Sequence, residues 1–192
     1  MILPIVAYGA PVLRAVSVNI DKDFEGLNKF IADMWETMYN SRGVGLAAPQ
    51  VNKNIRLFVV DSLQIIENLE EDEKGDHPDD KGFKGVFINA KVIETSGDEW
   101  PYNEGCLSIP KIREDIYRRQ FVTIEFLDEQ FEKHLRTFNG ITARVILHEY
   151  DHIDGKLFID YLKPLKRKLL KRKLDDITKG RIDVDYRMTF VK

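Results

Sequence analysis

The stretch His148-Glu149-Tyr150-Asp151-His152 limits what this chain can fold into more than any other. Four residues advance an α-helix by about one turn plus 40°, so on a helix His148 and His152 project from one face. Two neutral imidazoles placed that way can hold a divalent metal. Glu149 lies between them in angle and can reach a water at such a metal without becoming a ligand. The plainer reading is a chance pattern on a charged helix. Against it, the two histidines are half of the 4 in the chain, and they continue an apolar stripe through Ile141 and Val145. Histidines on a core-facing stripe need partners, because burying an unsatisfied polar group is costly.

The fold must therefore seat this helix inside. Its predicted span runs from about Asn139, as N-cap, to a stop at Asp154-Gly155. Upstream, Leu27, Phe30, Ile31, Met34, Trp35 and Met38 recur at helical spacing and predict a core-facing helix, with Gly43 as its stop. Strand-type runs follow at Ile55 to Val60, Val86 to Ile88, Val92 to Thr95 and Phe121 to Leu127. The last turns through Asp128-Glu129-Gln130 into Phe131 to Phe138 as a hairpin. A third helix is predicted from Pro164 to about Lys179-Gly180, then a strand-like run from Val184 to Val191. Strands and helices do not alternate regularly, so the expected class is α+β, with mainly antiparallel sheets packed around the central HExxH-bearing helix. A length of 192 residues suits one catalytic domain over 1–192, with 161–192 as an appendage of helix and tail.

Composition removes several functions. With 43% hydrophobic and 32% charged residues, neither a disordered nor a membrane protein is expected. A net charge of -3 is too small to call for DNA or a membrane as partner of the whole chain. The opening from Met1 to Ala10 is apolar, but it has no basic start, is interrupted by Pro4, and is too short for a span. The chain reads as mature and cytoplasmic. Glu67 to Lys81 holds eight acidic and two basic residues with Gly75 and Pro78, which predicts a solvated loop in which His77 has no special role.

A catalytic metal usually has three protein ligands and an open position. No histidine follows His152, while Asp154 and Asp160 fit the usual downstream patterns poorly. The other candidate is Cys106 in Glu104-Gly105-Cys106-Leu107-Ser108, placed just after a turn signal at Trp100-Pro101. A lone cysteine is usually a small buried hydrophobe, and as the only thiol it forms no intramolecular disulfide, which fits a reducing compartment. A thiolate would nonetheless bind a divalent metal strongly. The third element is Gly43-Val44-Gly45-Leu46-Ala47-Ala48-Pro49-Gln50, where glycines admit a close backbone and Gln50 supplies an amide donor. No Lys-Ser/Thr pair follows, so it is not a phosphate loop.

Together these three elements resemble the motifs of bacterial-type peptide deformylases, G-φ-G-φ-A-A-x-Q, E-G-C-φ-S and H-E-x-D-H, where φ is apolar. All three are present in that order, and similarity extends from Tyr8-Gly9-Ala10-Pro11 to Gly155-Lys156-Leu157-Phe158. The longer acidic loop between Asp61 and Phe83 and the tail after Gly180 depart from compact members. The resemblance implies an amidohydrolase that takes the formyl group from formyl-methionyl peptides and releases formate. It assigns Cys106, His148 and His152 to one divalent metal per chain, Fe2+ in the cell, with Zn2+, Ni2+ or Co2+ able to replace it. It makes Glu149 the proton carrier, and Gln50 and the Leu107 N–H the donors to the oxyanion. Substrate contacts would come from Gly43, Val44, Gly45, Glu104, Gly105, Arg113, Ile141 and Val145. Asp151 would pair with Arg113 or Arg118 behind the site, or form a plain surface salt bridge.

Two alternatives stay open on the sequence. An HExxH endopeptidase would take its third ligand from Asp154, Asp160 or Glu104. A non-catalytic metal-binding module would have no need of Glu149 and Gln50. A possible ribosome contact is a separate expectation. Tyr161 to Lys173 carries seven basic residues and no acid, so the rest of the chain has 22 positive against 32 negative charges. With Leu162, Leu165 and Leu169 packed inward, a basic face would point out toward ribosomal RNA, where formylated chains emerge; a merely solvated helix is the alternative.

Overall fold

The computed structural model describes residues 1–70 and 79–190. A short strand β1 (Ile5–Val6) leads through a 3-10 turn to helix α1 (Leu27–Asn40). Helix α1 buries Leu27, Ile31, Met34 and Met38, the stripe its spacing predicts. Its stop falls one residue before Gly43. Arg42 takes the left-handed conformation at φ 55, and the N–H groups of Arg42 and Gly43 bond back to Tyr39 and Met38. Gly43 is left for another purpose.

Strands β2 (Gly45–Ala47), β3 (Leu57–Asp61), β4 (Lys84–Cys106), β5 (Ile109–Leu127) and β6 (Lys133–Asn139) form one antiparallel sheet in that spatial order. A one-turn helix α2 (Leu63–Ile66) follows β3. Helix α3 (Gly140–Ile153) carries the HExxH residues, helix α4 (Pro164–Thr178) follows, and β7 (Met188–Thr189) pairs in parallel with β1. The class is α+β, as expected. In α3 every residue but His148 and Tyr150 is buried. A helix covered on all sides can hold a polar constellation away from water. It packs Ile141, Val145 and Ile146 against Phe58, Phe87 and Phe126 of the sheet; Phe87 stacks on Phe58 at 4.6 Å and meets Phe126 at 4.3 Å.

Three expectations need correction. The separate strands at Val86 to Ile88 and Val92 to Thr95 are parts of β4, which runs on to Cys106. Polar residues and Gly97 disguise the continuation, and bulges between Ile88 and Lys91, Val92 and Glu94, and Ser96 and Glu99 break its alternation. Trp100-Pro101 is not a turn: Pro101 sits in mid-strand opposite Tyr117. β3 covers only Lys84 to Ile88, so further along β4 is an edge where a missing N–H interrupts no ladder. The turn is Leu107-Ser108, and it joins β4 directly to β5. Finally, α4 buries Leu170, Leu174 and Ile177, while Leu165 and Leu169 are 71% and 70% exposed. Leu162 lies before the helix, packed on the core edge. The inward stripe is one step out of phase with the first leucines.

Asn139 occupies the N-cap position of α3, but its side chain makes no capping bond. The role falls to Asp80, whose carboxylate accepts from the Thr142 N–H at 2.8 Å and from its hydroxyl at 2.6 Å. Thr142 also shares a 2.7 Å hydrogen bond with Ser62. One end of the acidic stretch is thus fixed to the start of α3; residues 71–78, His77 among them, lie outside the described residues.

Candidate metal centre

Helix α3 supplies two of the three candidate ligands and the end of β4 supplies the third. The donor atoms of Cys106, His148 and His152 all lie within 4.8 Å of one another. Cys106 Sγ is 3.3 Å from His152 Nε2. His148 turns its Nδ1 to Glu104 Oε2 at 3.0 Å, so its Nε2 is the nitrogen free to face the centre. One thiol and two imidazoles in this arrangement are a fitting donor set for a divalent transition metal. Asp154 is engaged by Arg56 at 2.9 Å and Asp160 by Arg14. Glu104 lies behind His148, so none of the three carboxylates takes the place of the thiol.

Glu104 is held from the other side. Arg118 grips it through Nε at 2.8 Å and Nη2 at 3.1 Å, and Arg144 adds a contact at 3.3 Å. Arg118 also donates to Asp151 at 2.7 Å, and Asp151 accepts from the Tyr161 hydroxyl at 2.9 Å. Of the two arginines considered for Asp151, the structure selects Arg118. Burial pushes the Glu104 carboxyl up, but hydrogen bonds from His148 and Arg118 outweigh it and bring its pKa down to about 2. It stays an anion and fixes the His148 ring. Burial would lower His148; the neighbouring Cys106 and Glu104 overcome this and raise it. His152 is lowered by burial and then by repulsion from His148.

Glu149 is 4% exposed, and among the described residues its Oε2 has no hydrogen-bond partner. Burial raises its pKa to about 7; His148 opposes the shift, and Glu104 and Asp151 add to it. Its side chain lies directly over Gly45: a Cβ there would come within 2.5 Å of Oε1 and 2.7 Å of Cγ. Gly43 is needed in the same sense, since a Cβ would be 2.9 Å from Leu107 Cδ1. The glycines of the first motif thus make room for residues of the other two. Gln50 stands in a 3-10 turn after β2 and accepts from the Ala47 N–H at 2.8 Å through Oε1. That bond sets the amide so that Nε2 points to Cys106 Sγ at 3.5 Å.

These groups border a cavity of about 830 Å³. Gly43, Val44, Gly45, Gln50, Glu104, Gly105, Cys106, Leu107, Arg113, Val145, His148 and Glu149 all line it. Ile141 does not; two turns before His148, it is buried among the sheet phenylalanines. Arg113 lines the cavity while bonded to Asn103, through Nε at 2.8 Å and through Nη2 to the Asn103 carbonyl. The sequence reading missed Ile65, Tyr102 and Arg144, and on the far rim Asp183 to Tyr186. Arg144 had one signal: it lies four residues before His148, on the same helical face. The tail had none.

The description "polypeptide deformylase" belongs to the family model that residues 2–168 match. Peptide deformylase of Christiangramia forsetii is 52% identical over 192 residues, covering 99% of this chain and 96% of the relative. That of Flavobacterium johnsoniae is 53% identical, with the same coverage. Among solved structures, a peptide deformylase from Legionella pneumophila superposes with a TM-score of 0.77 at 34% identity, covering 94% of this chain and 98% of that one.

Proposed function

We infer the working parts of the site from one premise: the chain belongs to the peptide deformylase family and is an enzyme that removes the N-formyl group from nascent peptides. Cys106, His148 and His152 hold one divalent metal. The observation that carries this assignment is the approach of their donor atoms to within 4.8 Å, beside Glu149, whose Oε2 has no hydrogen-bond partner among the described residues. The metal, when bound, supplies Lewis acidity, which makes hydroxide available near neutral pH.

The chain's own residues do the rest. β2 is an edge of the sheet, so an extended peptide can add to Gly43–Leu46 as a further strand. Val44 and Val145, with Ile65 and Tyr102, offer the methionine side chain an apolar wall. Gln50 Nε2 and the Leu107 N–H donate to the formyl oxygen as it gains charge. Glu149 takes a proton from the attacking water and delivers it to the nitrogen as the C–N bond breaks. Without that delivery the peptide would have to leave as an amide anion. Formate and a free methionine amine result.

Ferrous iron is the metal we assign in the cell, and zinc, nickel or cobalt suit the same ligands. The test is formate release from a formyl-Met peptide after anaerobic purification with iron, beside a nickel-loaded sample. The iron form should be active and should decay in air through oxidation of metal and thiolate, while the nickel form persists. Equal lifetimes in air would contradict an iron–thiolate centre, and no formate with either metal would contradict the function. The site of action is the cytoplasm of a bacterium, where formylated chains are made. In support, the two relatives are bacterial.

A ribosome contact is supported by the outer face of α4, where Leu165 and Leu169 stand exposed among Lys168 and Arg172. Lys166 is partly engaged by Glu114 at 3.0 Å and contributes less free charge. Ribosomal phosphates would bind this face with a steep loss of affinity on adding salt. Co-sedimentation should show binding at low salt that moderate salt weakens, and that Glu at Lys168, Lys171 and Arg172 abolishes. Equal pelleting of the two proteins, or none at low salt, would reject the contact and leave the catalytic reading intact.

A further inference from the structure

The two-residue turn Leu107-Ser108 carries more of the proposed site than its length suggests. It follows the ligand Cys106 directly, and its first N–H is the backbone donor assigned to the oxyanion. Both of its carbonyls are taken up by the ends of the chain. The Leu107 carbonyl accepts from the Tyr186 hydroxyl at 2.8 Å, and the Ser108 carbonyl accepts from the Tyr8 N–H at 2.8 Å.

Those two partners are themselves joined. β1 and β7 run in parallel, with Ile5 N–H bonded to the Arg187 carbonyl and Ala7 N–H to that of Thr189, both at 2.9 Å. Asp185 pairs with Arg42, beside Gly43, at 3.2 Å on the surface. Tyr186 is half-buried against the core cluster that also receives Leu107. The C-terminal partners in these contacts, Asp185 to Thr189, lie beyond residue 168, where the family match ends.

We propose that the paired chain ends form a clasp on the Leu107-Ser108 turn, and that Tyr186 is the positioning residue through which the C-terminal segment holds the oxyanion donor and the ligand Cys106 in register with α3. Tyr186 lines the cavity, and its hydroxyl is committed to the Leu107 carbonyl. It acts through the Leu107 carbonyl, and the turn acts on the reaction. The clasp rests on the site assignment above only for its catalytic consequence; its mechanical part stands on the two hydrogen bonds.

The test is Tyr186→Phe, which keeps the ring and its packing and removes one hydroxyl. In the zinc-loaded protein, amide hydrogen exchange at Tyr8, whose N–H is bonded to the Ser108 carbonyl, should speed up about tenfold as the turn loosens, the order expected for one weakened hydrogen bond. Exchange at Ile116 and Val122 in the middle of β5 should stay as in the parent, which shows that the variant is folded. The turnover number should fall about tenfold with KM changed less than twofold, since the donor acts on the transition state. Unchanged exchange at Tyr8 overturns the clasp, whatever the activity. Faster exchange with unchanged turnover overturns the catalytic part and, with it, the role assigned to Leu107. Tyr186→Ala with deletion of 187–192 should exaggerate both effects in the same direction; smaller effects than those of the phenylalanine variant would contradict the proposal.

Discussion

Glu149→Ala is expected to lose at least about a hundredfold of its turnover, the lower end of what a positioned proton carrier contributes, while keeping its metal. The carboxylate is buried beside the proposed ligands, and among the described residues one of its oxygens has no partner. It is therefore spared from structural bonds and available to a water or a leaving nitrogen. Cys106, His148 and His152 are untouched by the change, so metal content measured on the same preparation should stay near one per chain. Glu149→Gln separates shape from chemistry: it fills the space over Gly45 equally well but carries no exchangeable carboxyl proton. It should be about as inactive as the alanine variant. Activity within tenfold of the parent in either variant, with metal bound, would remove Glu149 from the mechanism. Loss of metal from both would make it a supporting residue of the ligands instead.

The parts of this site that follow local rules were legible in the sequence. His148 and His152 are bound to one face by helix geometry, and α1 shows its buried stripe at the spacing of its apolar residues. Other parts depend on what the chain brings together from a distance. Asp80 caps α3 from sixty residues upstream, and nothing near Asn139 announces it. β4 and β5 form a single long hairpin because each covers the other's breaks. Read alone, Gly97 and Pro101 look like punctuation. Glu104 was read as part of the pocket wall. Its place behind His148 emerges only when Arg118, Arg144 and α3 converge on it. The exposed Leu165 and Leu169 show the limit of periodicity: the spacing of leucines in α4 allows two phases, and only packing selects between them. The tail from Asp183 to Tyr186 reaches the cavity by pairing with β1, a contact between opposite ends of the chain.

Cys106→Ser should have the second large effect, and on a different quantity. The hydroxyl of serine keeps its proton near neutral pH, whereas a thiol gives it up to a metal. Affinity should fall by more than the ~10–100-fold that accompanies loss of an outer partner of a ligand, because here a ligand itself is lost. The fold should survive, since the thiol is only half-buried and serine is close to it in volume. Activity should fall with occupancy and recover little when metal is added in excess, because serine remains a poor substitute for the thiolate.

The measurement that bears most directly on the whole account is the absorption spectrum of the cobalt-loaded parent beside cobalt-loaded Cys106→Ser. A thiolate from Cys106 with imidazoles from His148 and His152 predicts a thiolate-to-cobalt charge-transfer band in the near ultraviolet of the parent, and its disappearance in the variant at equal cobalt content. A parent that binds cobalt without this band, or a variant that retains it, would contradict a Cys106–His148–His152 centre.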